Sequence, residues 1–123
     1  MYGVPADIRL EPLVGREVNT VRIGLYQIWI DFLPDGEISI EGSWELHDEA
    51  GALVDRLDRS QDVRTRQTFH LHRLLGAKVT RFKINPPTSF TLFLDAGLAI
   101  TVFDDSEQYE SFSIHLDGQD VWI

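Results

Sequence analysis

The chain matches itself at an offset of 61 residues, with 8–44 falling on 69–105 without a gap. Eight of the 37 aligned pairs are identical: Leu10/Leu71, Leu13/Leu74, Gly15/Gly76, Val18/Val79, Ile23/Ile84, Phe32/Phe93, Leu33/Leu94 and Gly36/Gly97. The repeated positions are apolar residues and glycines, which set core faces and turns. Charged residues do not repeat. In a chain of 123 residues such a duplication gives one domain, 1–123, built from two related halves that share a core.

Each copy opens on an apolar turn closed by glycine, Leu13-Val14-Gly15 and Leu74-Leu75-Gly76. In the second copy Phe69, Leu71, Leu74 and Leu75 fall roughly on one side of 66–75, which predicts a short helix there. Alternating strands follow, through Val18, Val21 and Ile23 or through Val79, Phe82 and Ile84. The next strands are 27–33 and 89–94, rich in aromatic and β-branched residues. Pro34-Asp35-Gly36 and Asp95-Ala96-Gly97 turn each copy back into a third strand, 37–46 or 98–104. A hairpin around Asp48-Glu49-Ala50-Gly51 leads to 52–57, and 58–65 reads as a connection between the halves. Two tail strands, 109–116 and 119–123, are joined at Asp117-Gly118. The expected fold is mainly β, α+β at the margin: two related antiparallel β-meanders packed as a sandwich or joined as one curled sheet, with one short helix around 66–75.

Net charge is −9, and eight of the eleven basic residues lie within 56–83. That stretch carries +6 and the remainder −15; residues 84–123 hold seven acidic groups and no Lys or Arg. A surface so polarised repels phosphate backbones, which argues against nucleic acid, and it steers basic proteins instead. No apolar run reaches the roughly 18 residues of a membrane span. The opening residues MYGVPADIRLEP lack a secretory pattern, and cysteine is absent. The expected location is therefore cytoplasmic, with no membrane partner.

Catalytic constellations are not found. There is no Gly-x-Ser-x-Gly elbow; Ser106, Ser111 and Ser113 sit in an acidic, strand-like context without an evident base, and the strand face shared by Ser113 and His115 reads as an ordinary sheet surface. His70-x-His72 lacks a third ligand in nearby sequence, so no metal and no cofactor is expected. The densest polar cluster is Asp104-Asp105-Ser106-Glu107-Gln108-Tyr109-Glu110. Four carboxylates in so short a run stay solvated, because unpaired buried charge is costly. They form an acidic recognition edge in which Asp104, Asp105, Glu107 and Glu110 complement a basic partner and Tyr109 is the amphipathic anchor. A different reading uses the aromatics Trp29, Trp44, Phe90 and Phe103 as the lining of a small-molecule pocket between the meanders, although Trp44 also suits a plug at one end of the core. A third takes Val121-Trp122-Ile123 as an exposed edge strand through which the chain forms a homodimer.

Three segments carry a resemblance over residues 13–123: Leu74-Leu75-Gly76-x-x-Val79, Glu41-Gly42-Ser43-Trp44-Glu45, and Phe103-Asp104-Asp105-Ser106-Glu107-Gln108-Tyr109-Glu110-Ser111-Phe112. In them the chain resembles an uncharacterised bacterial family of small acidic single-domain proteins, a domain of unknown function. In size and charge such families are similar to the immunity proteins of bacterial toxin systems, which act by masking a toxin domain. The resemblance implies a basic toxin domain as partner and supplies no catalytic residues.

Overall fold

The computed structural model describes residues 4, 8–57, 64, 69–104, 112–116 and 119–122, the last four through their backbone. After a 3-10 turn at Glu11–Leu13 come five strands: β1 (Glu17–Ile23), β2 (Ile28–Leu33), β3 (Glu37–Ile40), β4 (Trp44–His47) and β5 (Leu53–Leu57). The order then repeats. A second 3-10 turn at Leu71–Leu74 precedes β6 (Val79–Asn85), β7 (Ser89–Leu94), β8 (Leu98–Phe103), β9 (Phe112–Leu116) and β10 (Gln119–Trp122). All strand pairs are antiparallel and form two five-stranded sheets, β1-β2-β3-β9-β10 and β5-β4-β8-β7-β6. Each half thus gives a three-stranded meander to one sheet and sends its last hairpin across to the other. Neither half can complete a sheet alone.

The fold is mainly β, and in the described part of the short helix expected around 66–75, residues 69–75, the chain forms the 3-10 turn instead. Within that turn Leu71 and Leu74 are both buried, and a spacing of three returns them to one side at three residues per turn. Residues 65–68 lie outside the described part of the chain.

Burial alternates along the strands, so one face of each sheet is apolar and turned inward. In the first sheet Ile28, Ile40 and Phe112 stand in register, with Ile30, Ile38 and Ile114 in the next inward row. The second sheet repeats the arrangement with Phe90, Val102 and Trp44, then Leu92, Ile100 and Leu46. All twelve side chains are at most 2% exposed and belong to one continuous core. The sheets meet face to face there: the Phe90 ring of the second lies edge-on to Phe112 of the first, 4.9 Å between centroids. Trp44 and Phe112 therefore occupy matching places on the exchanged hairpins.

These registers refine the duplication. The constant offset of 61 runs through β1 and β6, whose bulges fall between Val18 and Thr20 and between Val79 and Arg81. It then slips by one, because Ile23 pairs with Ile28 across a four-residue tip whereas Ile84 pairs with Phe90 across five. Beyond the tip Phe32 corresponds to Leu94, both in the core, while Phe93 points to the outer face. The identities Phe32/Phe93, Leu33/Leu94 and Gly36/Gly97 are consequently not structural equivalents. A one-residue slip moves every side chain to the opposite face.

On one side the sheets are laced together. Glu17 and Lys78 form an antiparallel bridge between β1 and the chain leading into β6. Gly15 N donates to Val79 O (2.7 Å) and Gly76 N to Val18 O (2.9 Å); Val18 N donates to Ala77 O (2.8 Å) and Val79 N to Arg16 O (3.0 Å). Moving every residue by 61 positions interchanges the members of each pair. Gly15 and Gly76 make this possible with φ of +88° and +82°, a region costly for other residues. At the far edge the buried Asp55 accepts backbone N–H bonds from Arg56 (2.8 Å) and His70 (2.9 Å), tying β5 to the start of the second half.

Two stability measurements follow from these contacts. Gly76→Ala meets no atom within 4 Å of its new Cβ, so only the backbone term remains, and urea unfolding should show a loss of about 1–2 kcal/mol. Asp55→Asn exchanges a charged acceptor of two N–H groups for an amide and should cost about 2 kcal/mol in the same assay.

Candidate functional site

Among the predicted recognition residues only Asp104 falls in the described part of the chain; Asp105, Glu107, Tyr109 and Glu110 lie outside it. Two backbone bonds fix where this segment leaves the fold. Phe103 N donates to Ser43 O (3.0 Å), and Asp104 N donates to Thr88 O (2.9 Å) in the β6–β7 tip. Asp104 thus stands at one end of the second sheet, between that tip and the start of β4. From here to β9 the connection takes eight residues, 104–111, whereas the matching β3–β4 connection takes three, 41–43. The acidic run occupies a connection that the other half makes without it.

A cleft of about 270 Å³ opens at the same place, lined by Trp44, Leu57 and Phe103 with Glu45, Arg56 and Asp104 among its polar groups. It brings a guanidinium and two carboxylates to an aromatic surface. Trp44 is 1% exposed, and its Nε1–H is buried with no acceptor among the described residues. An unpartnered buried donor is uncommon and costly.

The four aromatics considered as a pocket do not come together. Trp44 and Phe103 share the cleft. Phe90 is fully buried in the core, and Trp29 lies on the outer face of the first sheet with the Arg22 guanidinium 5.0 Å from its ring centroid. On that face Arg22 also reaches Asp31 at 3.3 Å and Glu37 at 3.5 Å, so the cation is shared between two carboxylates. Asp31 comes from β2, the neighbour of β1, and Glu37 from β3, one strand further on, which the sequence spacing alone does not reveal.

Ser113 Oγ and His115 Nε2 are 3.5 Å apart, the outer limit of a hydrogen bond, with Glu37 opposite His115 in register. Ser113 also lies between the ladders to β3 and β10, facing Ser39 and Trp122, so its backbone serves the sheet rather than a developing oxyanion. His70 and His72 have ring centroids 6.4 Å apart. Among the described residues no group of three or more His, Cys, Asp or Glu is placed to hold a metal ion, and no helix is long and apolar enough to cross a membrane. β10 is the outermost strand of its sheet, the position the homodimer reading requires.

No protein-family model, curated protein or solved structure matches the chain.

The unpaired indole yields a test. Trp44→Phe removes a donor that has no acceptor among the described residues while keeping an aromatic plug, so the gain offsets the lost volume and the change in unfolding free energy should stay within about 1 kcal/mol. Phe90→Ala in the same row should cost about 3–5 kcal/mol by calorimetry.

Proposed function

We propose that this protein is a binding module whose acidic β8–β9 connection engages a basic protein partner. The observation that carries the reading is the unequal connection: the scaffold crosses between sheets in three residues in one half and in eight in the other, and the longer crossing contains Asp104, Asp105, Glu107 and Glu110. Residues that a duplicated scaffold does without are available for recognition. Their charge favours a cationic surface and fast, salt-sensitive association, with Tyr109 as the anchor that adds apolar area. An immunity protein that masks a basic toxin domain is the specific form of this reading, supported by the charge and by the resemblance in size. Arg56 lies in the cleft beside Asp104, which leaves the three acids further along the connection as the main carriers of charge to a partner.

A second reading rests on the cleft. Its Phe103 ring and mixed charges suit a small polar ligand, and its 270 Å³ falls just below the usual ligand-site volumes of about 300 Å³ and more.

The acidic connection is tested by affinity capture from a cell lysate at low salt, followed by titration of the captured protein. Replacing Asp104, Asp105, Glu107 and Glu110 with their amides should slow association about tenfold or more and flatten its dependence on salt. Capture of the same protein by the quadruple variant with unchanged rate and salt slope would remove the proposal. Tyr109→Ala should act differently, raising the dissociation rate.

A further inference from the structure

The two sheets present outer faces that can be compared position by position, because the registers match. On the first sheet one outward row reads Thr20, Asp31, Glu37, His115 across β1, β2, β3 and β9. The same row on the second reads Arg81, Phe93, Ala99, His47 across β6, β7, β8 and β4. The neighbouring row changes from Arg22, Trp29, Ser39, Ser113 to Lys83, Thr91, Thr101, Glu45. A cation is therefore kept at Arg22 and Lys83, and a second is added where Thr20 becomes Arg81. The two carboxylates that hold Arg22 have become Phe93 and Ala99. Among the described residues neither Arg81 nor Lys83 is within ion-pair distance of a carboxylate.

We propose that the outer face of the second sheet binds an extended acidic peptide segment, its carboxylates received by Arg81 and Lys83. This goes beyond the acidic connection: it uses another surface, the opposite charge and a different class of partner sequence. The groove on this face has a volume of about 560 Å³. It crosses four strands, so it is ~14 Å wide at ~4.8 Å per strand spacing. Arg81 and Lys83 are alternate residues of one strand, ~6.6 Å apart along it, which is the spacing of alternate side chains in any extended peptide. Acids at positions i and i+2 of a ligand therefore meet both cations at once.

The remaining lining suits the same occupant. The Arg81 guanidinium lies 3.6 Å from the Phe93 ring centroid, which orders it on the face of the sheet. Thr91 and Thr101 hydroxyls bond each other at 2.8 Å, using one of their two protons and leaving one O–H to donate to a ligand oxygen. On the far wall the Asp48 carboxylate is committed to its own turn, accepting from Ala50 N and Ala52 N at 2.9 Å each. Glu49 beside it repels anions, so the carboxylates of a ligand are confined to the β6 side. A single small carboxylate engages only one exposed cation, an interaction too weak to hold it. Nucleic acid is disfavoured because its bases need an open aromatic face to stack on, and the Phe93 face is already covered by Arg81.

The test uses the ¹⁵N-labelled full chain titrated with acetylated hexaglutamate at low salt, followed through the amides of Thr91, Phe93, Ala99 and Thr101. The expected result is a saturable shift at these amides, lost in 0.3 M salt on the order expected from screening. Affinity should fall about tenfold in the Arg81→Gln, Lys83→Gln double variant. Ala99→Glu, which restores a carboxylate found on the other sheet, should weaken binding similarly while leaving both cations in place. All three substitutions are on the outer face, and the spectrum itself reports whether the fold is intact. Absence of a saturable shift, or equal binding by the double variant, overturns the proposal. So does equal saturation by inorganic phosphate, which assigns the site to small oxyanions, or tighter binding of a thymidine dodecamer at the same amides, which assigns it to nucleic acid. The acidic-connection variants leave every one of these residues untouched, so the two readings fail separately.

Discussion

Four backbone hydrogen bonds around the Glu17–Lys78 bridge join the edge of one sheet to the edge of the other, and each is matched by its counterpart 61 residues away. They are the point at which the two halves meet as equivalents. An edge strand with unpaired N–H and C=O groups is a hazard, and lacing the start of β1 to the start of β6 satisfies both edges there with each other. The geometry demands a residue in the left-handed region just before each strand, which Gly15 and Gly76 supply. From this junction the strands run outward into two sheets, and the hairpins β4–β5 and β9–β10 return to the sheet they did not come from. The exchange makes the core common property: Trp44 of the first half packs in the second sheet, and Phe112 of the second packs in the first.

A scaffold fixed in this way leaves its outer faces and connections free to differ. Inward rows stay apolar in both halves because they share one core. Outward rows diverge: one gathers Arg22 between Asp31 and Glu37, and the other becomes a hydroxyl-bearing groove with Arg81 and Lys83 on one side and Asp48 and Glu49 on the other. The β8–β9 crossing has taken on an acidic run that its counterpart lacks. One duplicated frame thus carries its cations and its carboxylates in different places on the two halves.

Much of this frame is legible in the sequence. Strand, turn and strand follow from alternation and from Pro34-Asp35-Gly36 and Asp95-Ala96-Gly97, and the glycines at 15 and 76 mark where each unit turns. The 66–75 segment misleads because Leu71 and Leu74 satisfy a helical spacing equally well, and only the tertiary packing shows that one 3-10 turn buries both. The register slip is hidden for a similar reason: Phe32 and Phe93 are identical residues, yet one longer tip puts them on opposite sides of a sheet. The exchange of hairpins between sheets leaves no local trace at all, since β4 reads the same whichever sheet it joins. The aromatic pocket fails on that point. Trp29, Trp44, Phe90 and Phe103 are alike in type, but alternation separates core from surface and topology separates one sheet from the other. The cation pair of the groove is invisible in sequence, because it appears only when Arg81 and Lys83 are compared with the residues that face Arg22 across the other sheet.

The central claim is that the frame is complete without its acidic crossing. It is tested by replacing residues 104–111 with Glu-Gly-Ser, the sequence of the shorter crossing at 41–43, and measuring equilibrium unfolding in urea. A cooperative transition, with stability unchanged or raised by up to about 1 kcal/mol from the shortened loop, is the expected result. A chain that fails to fold, or loses several kcal/mol, would show that the crossing belongs to the scaffold and contradict the account.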